Sequence, residues 1–310
     1  NTIKNGINEN HARIDATPGR VYVIPPYICF ALLAMLFYGV VDFTYGRAIR
    51  KGVTPGTMLC SQSSIVLPVT GIWAWWEGTY LWSKPAFLGI AAGVFVFIGL
   101  WAFMKSLRLG ETGVSTPIYR ISFVITALIA IVFLEEPMTL RKGAGFLLAG
   151  ASIFFISDCR ASDLMPGGAI RSRGPSIFWA VTAMFAVGVL NIVYKLGVGY
   201  GVSPVMMLHS QAVFFICIAF LYARFTQGGP RFSRVGWAHA SVTAVSFTGG
   251  IVAFLTALRS GDASVVTPIV QLSFAVSVLM ATWWLDERFT ARKLAGLAFA
   301  LGTIAAFAGG

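Results

Sequence analysis

Thr116-Pro117-Ile118-Tyr119-Arg120-Ile121-Ser122-Phe123 returns 151 residues later as Thr267-Pro268-Ile269-Val270-Gln271-Leu272-Ser273-Phe274. The match continues on both sides. Upstream, Ala102-Phe103 meets Ala253-Phe254, and Leu107-Arg108 meets Leu258-Arg259. Downstream, Glu136, Thr139, Arg141, Lys142 and Gly145 meet Glu287, Thr290, Arg292, Lys293 and Gly296. Towards the N-terminus the offset becomes 149. There Gly39 meets Gly188, Tyr45 meets Tyr194, Pro55 meets Pro204, and Ser61-Gln62 meets Ser210-Gln211. Two nearly constant offsets over so many positions make an internal repeat, which takes precedence over any local reading of structure.

The repeated unit is a membrane unit. Of the 310 residues, 57% are hydrophobic and 11% charged, against roughly a quarter charged in a soluble domain. A spanning helix needs roughly 20 mostly apolar residues. Ten stretches qualify: 26–47, 56–76, 85–105, 114–134, 140–157, 176–197, 205–223, 236–257, 265–285 and 291–308. Residues 1–25 are polar, hold no apolar stretch, and read as a tail and not a signal peptide. The first unit is then 26–157, with spans 1 to 5. The connection 158–175, rich in charge, glycine and proline, reads as a linker, and 176–310 is the second unit, with spans 6 to 10.

Each unit holds an odd number of spans, so the second enters the bilayer from the opposite side. The expected fold is an all-α membrane protein of two inverted five-helix repeats, an architecture of many secondary transporters.

At this point the chain resembles the drug/metabolite transporter superfamily, in its ten-helix form with two EamA-like domains. The resemblance covers residues 26–308. It is carried by Leu134-Glu135-Glu136-Pro137-Met138-Thr139 and Leu285-Asp286-Glu287-Arg288-Phe289-Thr290, each before a Gly- and Ala-rich last span, and by the two Thr-Pro-Ile openings. It implies alternating access around a central cavity lined from both units, with the last helix of each unit as scaffold. It also implies a place in a bacterial cytoplasmic (inner) membrane. It does not name the substrate.

Ionisable groups inside a membrane are costly and mark pathways. Asp42, about six residues from the end of span 1, and Arg120, about six from the start of span 4, lie at a matching depth of roughly 9 Å. An ion pair between them, lining the central site or one gate, is expected. Arg120 suits a carboxylate or phosphate, and Asp42 an amine or a coupling proton. Their counterparts, Asn191 and Gln271, are uncharged. This predicts a charged pair towards one face and an amide pair towards the other. Tyr45 and Tyr194, one turn beyond Asp42 and Asn191, share their helix faces. Gln62, Gln211 and Trp101 complete the candidate substrate-binding set.

Other polar groups have structural readings. Snorkelling accounts for Lys105, Arg108, Lys195 and Arg259 near span ends. Glu135, Glu136, Asp286 and Glu287 read as loop residues, with Thr139 and Thr290 as helix N-caps. Gly89 and Gly93 form a small-xxx-small pair that lets helices approach closely.

A net charge of +11 raises nucleic acid as a partner, but no basic cluster meets aromatics in a soluble segment. There is no phosphate-cradling glycine loop for ATP and no Gly-x-Ser-x-Gly elbow. The cysteines and histidines have no metal or disulfide spacing. The expectation is therefore a secondary transporter of a small polar metabolite, amino acids or related zwitterions and anions first, with no cofactor. Exporters of cationic or aromatic drugs, and lipid-handling proteins or membrane enzymes, are the competing classes. Loop charges and the resemblance disagree over orientation. The tail and even-numbered connections hold seven Lys and Arg, and the odd-numbered ones fourteen. Positive loops favour the cytoplasm, which would put both termini outside, whereas the resemblance implies both inside.

Overall fold

The computed structural model of the chain describes residues 25–109, 118–156, 170–285 and 290–308. The tail, most of the linker, the Thr116-Pro117 opening and the Asp286–Phe289 connection lie outside the described residues. The helices are α1 (Pro26–Arg50), α2 (Pro55–Trp76), α3 (Leu88–Leu109), α4 (Ser122–Phe133), α5 (Leu140–Ile156), α6 (Ile170–Gly199), α7 (Pro204–Gln227), α8 (Arg234–Ser260), α9 (Ala263–Gln271), α10 (Ser273–Leu285) and α11 (Ala291–Ala308). No strand occurs among the described residues.

Among the described residues, seven segments are long and apolar enough to cross a membrane, among them 263–284, which joins α9 and α10. Residues 118–133 form a shorter apolar helix. The spans expected at 56–76 and 140–157 are helices, but fall outside that set. α2 carries serines, threonines and Pro68, and α5 has 17 residues beginning Leu-Arg-Lys. Exposed Leu33, Leu36, Leu147, Phe178 and Leu301 coat the outside. Exposed Trp75-Trp76 and Trp283-Trp284 sit at the ends of α2 and α10, as tryptophans of a membrane interface do.

The caps follow from sequence. Thr54, Ser203 and Ser233 each accept a backbone N–H at the start of α2, α7 and α8. The expected caps Thr139 and Thr290 accept from Lys142 N (3.2 Å) and Lys293 N (3.3 Å). Such caps satisfy amides that a helix start leaves without partners.

Packing between the units comes in related pairs. α1 packs on α8 and α3 on α6, while α2 meets α7 and α5 meets α11. Glycines set the closest crossings. A Cβ on Gly39 of α1 would lie 2.4 Å from Val276 Cβ and 2.9 Å from Ser273 O. A Cβ on Gly188 of α6 would lie 2.5 Å from Ile125 Cβ and 3.1 Å from Ser122 O. Ile125 and Ser122 stand 151 residues before Val276 and Ser273, so one crossing is built twice. Gly89 and Gly93 likewise admit α7: a Cβ there would meet Met207 O at 2.7 Å and Gln211 O at 3.2 Å.

One span is broken. α9 ends at Gln271, and Leu272 N turns back to Ile269 O (3.1 Å) before α10 starts. Pro268, inside α9, lacks the N–H that would bond Ser264 O, so the helix is one ladder bond short a turn before the break. In the other unit the helical residues 118–120 are parted from α4 by a turn at Ile121, the position equivalent to Leu272.

Candidate functional site

Arg120 immediately precedes its break, and Gln271 is the last residue of α9. The two breaks bring them together. The Arg120 guanidinium donates from Nη2 to Asp42 Oδ2 at 2.5 Å and from Nη1 to Ser273 Oγ at 3.0 Å. Nη1 also reaches Gln271 Oε1 at 3.5 Å. Gln271 Nε2 donates to Ser122 Oγ at 2.9 Å. The arrangement is reciprocal: each residue donates to the serine two positions beyond its counterpart. Ser273 Oγ in turn donates to Asp42 Oδ2 at 3.2 Å. The Asp42 and Arg120 side chains are 31% and 14% exposed, low enough to strengthen the attraction over that in water. Arg120 Nε is buried without a partner among the described residues, so the cluster keeps a spare donor. The guanidinium also lies 5.8 Å from the Tyr119 ring centre and 6.0 Å from that of Phe274.

The expected Asp42–Arg120 pair therefore forms, but the expected amide pair does not. Gln271 joins the charged cluster, and Asn191 donates from Nδ2 to Thr126 Oγ1 at 3.1 Å, buried on α4. The depth also needs correction. α1 runs on to Arg50, so Asp42 is eight residues from its end, roughly 12 Å along the axis.

The two tyrosines do repeat. Tyr45 donates its hydroxyl to Gln62 Oε1, and Tyr194 donates to Gln211 Oε1. Tyr45, Gln62 and Gln211 line a small cavity of about 50 Å³ with Ser63, Val66, Val96, Leu208 and Phe247. No charged side chain lines it. A primary amide offers four hydrogen-bonding positions and each phenol occupies one, so both glutamines retain polar capacity against an apolar wall.

Trp101 does not join this lining. It packs edge-on against Trp179 of α6, ring centres 5.0 Å apart. Lys105, expected to snorkel, places its Nζ 3.9 Å from the Trp179 ring centre, a cation–π contact. Two further expectations change. Lys195 turns inward, and its Nζ donates to Leu258 O and Gly261 O. Glu136 is a buried cap on α9, accepting from Ala263 N and Ser264 N. Arg108, Asp286 and Glu287 fall where no side chain is described. Among the described residues no His, Cys, Asp and Glu group is placed to hold a metal ion.

The EamA-like transporter family model matches the chain twice, over residues 25–158 and 174–308. The chain belongs to the EamA-like transporter family. It is an integral, multi-pass membrane protein of the drug/metabolite transporter type. A solved structure titled only "Crystal structure of protein" is similar over 90% of this chain and 95% of that one, with a TM-score of 0.73. At 14% identity that likeness concerns the fold alone. No curated protein matches in sequence.

Proposed function

We propose that this EamA-like protein is a secondary transporter of a small, polar, preferably zwitterionic metabolite. It works by alternating access of two inverted five-helix units in ten spans, with α9 and α10 as one of them. The observation that carries the reading is the Asp42–Arg120–Gln271–Ser273 cluster. Equivalent residues of two units related by an axis can touch only close to that axis. Under inverted topology the axis lies in the membrane plane, so Arg120 and Gln271 sit near mid-bilayer, where transporters with discontinuous helices bind solute. The ion pair is neutral overall. A zwitterion can open it by giving its carboxylate to Arg120 and its ammonium to Asp42, keeping every charge paired. A lone anion would leave Asp42 without a partner, at the cost of an uncompensated buried charge. A proton on Asp42 is the coupling event this geometry allows.

One observation favours a second reading. The cavity between Tyr45, Gln62 and Gln211 is apolar and uncharged, which suits the aromatic part of a drug, with Asp42 one turn from Tyr45 to meet a cation. Purified protein in liposomes separates the two. Zwitterion uptake that vanishes in Arg120→Gln supports the first reading. Drug flux that survives Arg120→Gln but is lost in Asp42→Asn supports the second. A thermal-shift screen over solute classes selects the compounds, and a pH gradient across the liposome tests proton coupling.

A further inference from the structure

The α8–α9 turn is held by side chains from three other segments. Glu136, between α4 and α5 and 8% exposed, accepts at Oε1 from Ala263 N (2.7 Å). Its Oε2 accepts from Ser264 N (2.9 Å) and Ser264 Oγ (2.5 Å). Lys142, in the first turn of α5, donates to Asp262 Oδ2 (2.8 Å) and Ser264 Oγ (3.0 Å). Lys195, near the end of α6, donates to Leu258 O (2.8 Å) and Gly261 O (2.7 Å). The Tyr27 ring at the start of α1 closes over Gly261, where a Cβ would come within 2.6 Å of it.

These contacts satisfy both halves of a polar break. Glu136 takes the first free amides of α9, and Lys195 takes the last free carbonyls of α8. Such end groups otherwise need water. Glu136 and Lys142 come from the first unit, whereas the turn belongs to the second. The network thus fastens one unit to the other at a single face, away from the Arg120 cluster along α9. It cannot persist if the units part there to admit solute.

The repeat reveals a bias. In sequence, Glu136, Lys142 and Asp262 have acidic or basic counterparts in Glu287, Lys293 and Glu111. Ser264 and Lys195 do not: their counterparts are Gly113 and Gly46. By sequence, the first unit therefore carries no equivalent of the Ser264 hydroxyl or the Lys195 ammonium. Resting on the alternating-access reading above, we infer that Glu136, Lys142, Lys195, Asp262 and Ser264 form the stronger of two gates and hold this face closed in the solute-free protein.

The test uses a reporter cysteine at Val265, which is 6% exposed and lines the recess beside Lys142 and Asp262. Native cysteines are replaced, and labelling by a hydrophilic maleimide is timed on protein in nanodiscs. Ser264→Ala and Lys195→Met each remove two charge-assisted bonds and are expected to speed labelling at least about tenfold. Lys142→Asp should speed it further, and Lys142→Asp with Asp262→Lys should return it to within about threefold of the parent. A second cysteine at fully buried Ala92 should stay unlabelled throughout. The gate is overturned if labelling at Val265 is unchanged in all three single variants, if the charge swap fails to restore it, or if Ala92→Cys labels in step with it. Liposome flux is read separately. Faster labelling at Val265 alone, without flux of any solute, sinks the transport reading and leaves the fastening intact.

Discussion

Arg120 and Gln271 occupy equivalent positions 151 residues apart, and their side chains touch. One carries a full charge and the other a neutral amide, so the centre of the molecule is symmetric in shape and asymmetric in charge. The single carboxylate of Asp42 balances it.

That balance predicts a pattern of stabilities. Asp42→Asn leaves the Arg120 charge without its partner and should cost about 3 kcal/mol, the lower end for breaking a buried pair. Asp42→Asn with Arg120→Gln, which copies the other unit's residues, should recover more than half of that loss. Thermal unfolding in detergent reads both. Equal losses in the single and double variants would contradict the ion pair as the source.

The glycine crossings predict opposite outcomes within one helix. Gly39→Ala forces a Cβ into Val276 and Ser273 O, and Gly188→Ala does the same against Ile125 and Ser122 O. Each should lower stability by about 1–3 kcal/mol. Gly46→Ala, also in α1, meets nothing within 4 Å and should raise stability by up to about 1 kcal/mol through helix propensity. Melting temperatures of the three variants decide this.

The break after Gln271 predicts a kinetic effect. Pro268→Ala restores one ladder bond, to Ser264 O, and stiffens α9 just ahead of the break. Turnover in liposomes should fall several-fold while solute affinity changes little, because hinge residues set the rate of conformational steps. A fall in affinity alone, with turnover unchanged, would argue against the break as a hinge.

The repeated phenol–amide bonds predict a difference between units. Tyr45→Phe and Tyr194→Phe each remove a bond worth about 0.6 kcal/mol on average inside membranes, so stability should barely move. Tyr45 lines the cavity, whereas Tyr194 is only 2% exposed. KM should therefore rise more in Tyr45→Phe. Uptake assays over a range of solute concentrations measure it.

Much of this was legible in the sequence. The apolar stretches marked the helices because a lipid-facing helix must be apolar all round. The Asp42–Arg120 contact was marked because each residue is a rare charge inside a span and the two lie at matching depth. Gln271 joining that pair was not legible. Counting depth along an unbroken helix placed it towards the far face, and only the turn at Leu272 redirects it. Asn191 was misplaced for a related reason: Thr126 on the adjacent α4 was nearer than any symmetric amide. Lys195 was read as a snorkelling group near a helix end, and Glu136 as a loop residue with no partner named. Both instead satisfy the ends of other helices, and such pairing is set by tertiary geometry alone.

Along the contact of α5 with α11, Gly145 receives Phe307 and Gly296 receives Ile156. Ser152 Oγ adds a bond to Gly296 O at 2.7 Å, and Arg292 donates to Phe154 O. Each helix contributes one knob and one socket, so neither slides without unseating both. The next comparable register is a full turn away, about 5.4 Å. This seam has the build of an axle. Under the proposed alternating access, the rocking of the two units pivots around it, and a covalent tether across it should leave the cycle running.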